Sequence, residues 1–151
     1  MFPKLHFIKG LDPVADAFSG TVYSDVINVV GEGALFIIYK GVGTTGTSTI
    51  TVNACDDAAA SNETAVAFMY RACTTGDTWG DWTRATTAGF TTTAGSSQVY
   101  QVYVPAAELA SEGYGYCRLK AVESVDAAVL GGILCAIVNP RDAENTSSLI
   151  D

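Results

Sequence analysis

Charge is what this sequence has least of. Only 16% of its 151 residues are Asp, Glu, Lys or Arg, against roughly a quarter in ordinary soluble chains. The eight basic residues, Lys4, Lys9, Lys40, Arg71, Arg84, Arg118, Lys120 and Arg141, stand singly; with sixteen acids they leave a net charge of −8 and a pI near 4.4. No basic stripe exists to neutralise phosphates, which argues against direct nucleic-acid binding. Histidine is nearly absent as well. Any Ser–His–Asp or Cys–His centre would have to be built on His6, which lies in a proline-punctuated stretch with no nucleophile segment beside it. Cys55, Cys73, Cys117 and Cys135 form no Cys-x-x-Cys pair, so neither a zinc ribbon nor a redox motif is present. Each lies in a strand-like segment, where free Cys packs as a small hydrophobe, and reduced, buried thiols are expected. No run of 18 apolar residues occurs, and the N-terminal stretch MFPKLHFIKGLDPVADAF lacks an uninterrupted apolar core. Neither a membrane partner nor export by a signal peptide is therefore expected, and synthesis is expected in the cytoplasm.

What the chain has in plenty is Gly, Thr, Ala and Val. The segment LFIIYKGVGTTGTSTITV (35–52) carries Gly41, Gly43 and Gly46 in a G-x-G-x-x-G spacing. A phosphate loop needs those glycines to open onto a helix N-terminus. Here they open onto Ser48 to Asn53, where Ile50 and Val52 alternate with Thr49 and Thr51 in the period of a half-buried strand, and Thr47 stands where a Walker lysine would be. The expected structure is a hairpin turn between antiparallel strands, its glycines supplying positive φ.

From Thr21 onward the chain breaks into short β-branched segments bounded by turn residues: TVYSDVINVV, ALFIIYK, TSTITVNAC, TAVAFMYRAC, DWTRAT, SQVYQVYV, YGYCRLKAVES and GILCAIV. Strands at this spacing mean an all-β fold, a jelly roll or related antiparallel β-sandwich. Helix is expected only over Ala106 to Ser111, after Pro105 and before Gly113. Residues 1–20 read as an extended N-terminal arm and 21–151 as a single sandwich domain. The arm holds Phe2, Leu5, Phe7 and Ile8, too apolar for a free tail, and is expected to strap onto neighbouring subunits rather than join its own core.

Two loops gather oxygen ligands, Asn53, Asp56, Asp57, Asn62 and Glu63 in one, Asp77 and Asp81 in the other, but neither has an EF-hand spacing. Solvated loop acids are expected, with no metal and no cofactor. Trp79 and Trp82 share the second loop, where they serve either as a core plug or interface anchor or as a stacking platform for a sugar ring. No two carboxylates single themselves out for glycoside hydrolysis, and no enzymatic activity is expected.

The order of segments, chiefly YKGVGTTGTSTITV with the following ACDD, and RLKAVE leading to GGIL and NPR, resembles small virion proteins of tailed bacteriophages of cyanobacteria and marine bacteria that look like capsid cement or decoration proteins. The resemblance spans residues 11 to 143. It implies a β-sandwich on the outer surface of the capsid, often a homotrimer, that binds the major capsid protein and clamps neighbouring capsomers. Phe2, Leu5, Phe7, Ile8, Trp79 and Trp82 are then the expected capsid- or subunit-contacting residues. The alternative is a head-fibre or tail-associated lectin-like module that grips a host glycan through Trp79 and Trp82.

Overall fold

The computed structural model describes residues 4–140, together with the backbone of 149–150. The chain forms two antiparallel sheets facing one another. The six-stranded sheet contains β1 (Leu5–Val14), β4 (Gly33–Gly43), β7 (Phe68–Cys73), β8 (Thr83–Ala85), β10 (Gln98–Pro105) and β12 (Val129–Val138), in the spatial order β1-β12-β4-β10-β7-β8. The second sheet is built on β5 (Thr47–Cys55) and β11 (Tyr116–Val125). It also holds β2 (Thr21–Tyr23), β3 (Val26–Asn28), β6 (Glu63–Val66), β9 (Phe90–Thr91) and β13 (Leu149–Ile150). The expected all-β sandwich is what the chain adopts, and its one described helix, α1 (Ala106–Ser111), falls where Pro105 and Gly113 bracket it.

The core lies between the sheets and is filled by alternate residues of each long strand, as the two-residue period of a strand requires. Phe36 and Ile38 of β4 and Tyr100, Val102 and Val104 of β10 meet Ile50 and Val52 of β5 and Cys117 and Leu119 of β11. Phe90 fills one end, stacked at 4.0 Å on Tyr70 and edge-on to Phe68. Fully burying an aliphatic or aromatic side chain stabilises by about 1.5–3 kcal/mol, so this inner layer dominates the favourable energetics.

The structure corrects two expectations. The segment 41–46 is no hairpin: β4 pairs with β12 and β10, β5 pairs with β11, β6 and β9, and the connection carries the chain from one sheet to the other. Its glycines are not in the left-handed region, which is occupied by Gly20, Gly76, Gly89, Gly95 and Gly113. Gly46 is there for close approach, because a Cβ on it would fall 2.5 Å from Val129 Cγ2 and closer still to the Ala127 carbonyl oxygen.

The second correction concerns the arm over residues 1–20. Residues 5–14 are the edge strand β1, paired with β12 from Leu5↔Val138 to Val14↔Gly131, and Ile8, Ala17 and Phe18 are part of the sandwich's own core. The segment lacks steady alternation because its register shifts twice, between Lys9 and Leu11 and between Leu11 and Val14. A bulged strand tolerates Gly10 and Pro13 where a regular one would not.

Candidate functional site

The two outer faces of the sandwich differ in chemistry. On the β5–β11 sheet the outward residues are mostly polar, Thr49 and Thr51 on β5 and Arg118 and Lys120 on β11, with Val122 and Val125 exposed near the end of β11. Thr49 shares hydroxyl hydrogen bonds with Thr91 and Ser124, and Arg118 pairs with Glu63 at 2.7 Å while lying 3.9 Å over the Tyr23 ring. That is the apolar-in, polar-out pattern of an antiparallel sheet facing water.

The six-stranded sheet breaks the pattern. One row across it runs Phe7, Ala136, Leu35, Tyr103, Met69, and the next runs Lys9, Leu134, Ile37, Gln101, Arg71. These residues alternate with the inward-facing core residues of the same strands, so they point outward. Phe7 is 55% exposed, Tyr39 56% and Leu134 42%, and Leu5, Val14, Val42 and Leu130 are exposed on the same strands. Strands apolar at both parities are normally covered on both faces. Among the described residues one layer covers the inner face, and the outer face is open except where the 74–82 loop lies over β7.

At the β1 end of this face a groove of about 480 Å³ runs between Leu11 and Pro13 on one side and Ile37 and Tyr39 on the other, floored by Gly131 and Gly132. Its floor is low because a Cβ on Gly132 would press on the Leu11 and Pro13 backbone at about 3.0–3.1 Å. Lys9 and Asp12 stand at the rim, 3.9 Å apart and both largely exposed, an ion pair worth little in water.

At the opposite end the loop 74–82 folds back over β7. Gly80 donates to the Ala72 carbonyl at 2.9 Å and Cys73 Sγ to the Gly76 carbonyl at 3.0 Å. The Arg71 guanidinium donates to Gln101 Oε1 at 2.7 Å and lies 4.7 and 4.8 Å over the rings of Trp79 and Trp82. Each such stack contributes about 0.5–1 kcal/mol at an exposed site. The two tryptophans therefore hold their own loop to the sheet, and a sugar would share the stacking surface with Arg71. Burial, with Glu32 nearby, pushes the Tyr103 hydroxyl above its usual range, so this residue of the face stays neutral.

The structure places Leu5 and Phe7 on β1 at one edge of this face and Trp79 and Trp82 at the opposite edge, so it does not bring the two pairs together. Ile8 is a correction: it points into the core and is 6% exposed, which removes it from any contacting set. Phe2 lies outside the described residues. His6 is half-buried on β1, paired with Ile137. The acidic loop is organised by its own backbone: Asp57 accepts from the Ala59 and Ser61 amides and the Ser61 hydroxyl, Asp56 from Asn62, and these bonds hold both carboxyls below their usual range. Among the described residues no group of three or more His, Cys, Asp or Glu is arranged to hold a metal ion, and no helix is long and apolar enough to cross a membrane.

Leu35, Ile37, Tyr39, Tyr103 and Leu134, the centre of the face, were not among the expected contacting residues. The signal for them was the unbroken apolar run Leu35 to Tyr39, which has no outward polar residue.

The sequence matches no protein-family model and no curated protein. In three dimensions the chain is similar to the crystal structure of SPBc2 prophage-derived protein YomS, at 12% identity and a TM-score of 0.49 over 92% of this chain and 96% of that one. A likeness to the structure of infectious bursal disease virus Gx strain has a TM-score of 0.26 and 15% identity, over 93% of this chain and 43% of that one.

Proposed function

We propose that this chain is a structural virion protein, a cement or decoration subunit that binds the major capsid protein on the outer surface of a phage head and stabilises contacts between capsomers. The observation that carries the reading is the apolar outer face of the six-stranded sheet, beside a polar face of ordinary solvent-exposed type. A sandwich whose described residues leave most of one apolar face open offers a docking surface, and an assembly is where such a surface is covered. The sequence resemblance to phage head proteins supplies the kind of assembly. A cement protein acts by mass action, binding the closed shell more tightly than its separated parts.

The test is binding of the purified chain to expanded, empty phage heads. Saturation at a fixed ratio to capsid subunits, with a raised disassembly temperature of the head, is the expected result. Heads that bind none of it while host glycans do would overturn the assignment.

A further inference from the structure

We propose that the outer face of the six-stranded sheet is covered by a second copy of this chain, the two sheets packing face to face about a two-fold axis. The inference goes beyond the capsid reading and does not depend on it; a pair formed in this way meets the capsid through its other surfaces.

Size is the first argument. Four neighbouring strands, β1, β12, β4 and β10, present the open face, since the 74–82 loop lies over β7. At about 4.8 Å between strands and about 3.3 Å per residue, their outer surface spans roughly 19 by 30 Å, or about 570 Å². Two copies would bury about 1,100 Å² in all, just above the roughly 1,000 Å² that a specific interface should clear. Two antiparallel sheets whose facing side chains are aliphatic and aromatic pack at about 10 Å, as the two sheets of this sandwich already do internally.

Charge is the second argument. The chain carries −8, yet the two central rows contain no carboxylate. Their two cations are Lys9, ion-paired with Asp12, and Arg71, stacked on Trp79 and Trp82. The acids stand at its margin or elsewhere: Asp12 at the groove rim, Glu32 beside Tyr103, Asp77 and Asp81 in the loop over β7, and others in the 56–63 loop, on α1 and near the end of β11. Two copies meeting through this face bury a centre free of carboxylates and leave the acids at a polar rim.

Shape is the third. A two-fold interface uses the same patch twice, so the patch must hold both projection and hollow. Phe7 projects from β1, and the glycine-floored groove lies two to six residues further along the same strand. A single patch used in this way closes at two copies, in contrast to the homotrimer that the resemblance implies.

The experiment is the mass of the full chain in solution by light scattering or sedimentation, up to about 100 μM. A particle of twice 15.7 kDa is expected. Leu134→Lys and Ile37→Lys should return it to 15.7 kDa with an unchanged far-ultraviolet spectrum, while Val122→Lys on the other sheet should leave the pair intact. A wild-type monomer over the whole range overturns the proposal, and because it needs no variant, it decides even if Leu134→Lys does not fold. A trimer overturns it, as does a dimer that survives both substitutions in folded form. A monomer that binds phage heads and loses that binding on Leu134→Lys assigns the face to the capsid and overturns the pairing while sustaining the proposed function. A dimer that binds no head does the reverse.

Discussion

Lys40 Nζ donates to the Thr93 carbonyl oxygen at 2.7 Å, joining two residues 53 positions apart in the chain. Lys40 is on β4, but at that position the side chain turns inward, is 2% exposed, and reaches the Gly46 carbonyl as well, at 3.1 Å. One ammonium thus ties the β4–β5 connection to the segment between β9 and β10. Lys40→Met keeps the stem's packing and leaves both carbonyls without this donor, so a loss of about 1–3 kcal/mol in unfolding free energy is expected. Burial also lowers the Lys40 pKa from 10.5. Between the folded value and 10.5 the unfolded chain holds a proton that the folded chain has released, so this group makes stability rise with pH in that window. Denaturant titrations at several pH values should show the gap between wild type and Lys40→Met widening from pH 7 towards 10.5; a constant gap rules the charge effect out.

Gly46 tests the close-approach reading of the 41–46 segment. A Cβ there meets the Ala127 backbone oxygen and Val129 Cγ2, and backbone cannot swing aside as a flexible side-chain tip can. Gly46→Ala should cost about 1–3 kcal/mol through forced shifts in the core. Gly115→Ala, where nothing lies within 4 Å, should stay within about 0.5 kcal/mol of wild type. Equal effects at the two positions, measured by thermal unfolding, would mean that the crowding at Gly46 is relieved without cost.

How far the fold was legible depended on whether the signal was local. The strand at Thr47–Cys55 alternates cleanly and emerged with those ends, because Ser48, Ile50 and Val52 face the core and the threonines between them face out. The stretch 64–73 reads as one strand but is two: the chain breaks at Ala67 and passes from the sheet of β6 to that of β7, a change of partner that periodicity does not encode. The strand β1 was hidden by its bulges, and the two-residue β9 is shorter than any periodic signal. The docking face was half legible. Leu35 to Tyr39 is apolar at both parities, but only the pairing of β4 with β12 and β10 shows that Leu134 and Tyr103 join it on one side.

The thiols give a prediction that is independent of the docking face. All four cysteines are free and buried; burial pushes the Cys55 thiol up to about 11 and raises those of Cys117 and Cys135 as well. The thiolate is the reactive form, so at pH 8 the native protein should react slowly or not at all with an aromatic disulfide reagent. Four equivalents should appear on denaturation, and a rapid native burst from Cys55 would contradict its burial. The linkage has the opposite sign to that of Lys40. From 9.0 to about 11 the unfolded Cys55 loses its proton first, so its contribution to stability falls as pH rises. A Cys55→Ala variant should show a shallower alkaline decline than wild type.

The N-terminal segment offers the sharpest reversal of what sequence alone implies, since a strap could be deleted without harm and an edge strand cannot. The segment contributes Ile8, Ala17 and Phe18 to the core, and the Ala17 amide donates to the Val129 carbonyl at 3.0 Å. Phe18 fits so closely against Gly131 that a Cβ there would lie 2.7 Å from the Phe18 ring. Phe18→Ala should therefore cost about 3–5 kcal/mol, the range for truncating a buried aromatic that leaves a cavity. Deleting residues 1–18 removes this side chain, Ile8 and the ladder to β12, whose freed edge becomes a template for aggregation. For a domain whose whole stability is about 5–15 kcal/mol, the sum should leave no cooperative unfolding transition by calorimetry. A truncated chain that stays soluble and melts within a few degrees of the full one would show that β1 adds little to the sandwich.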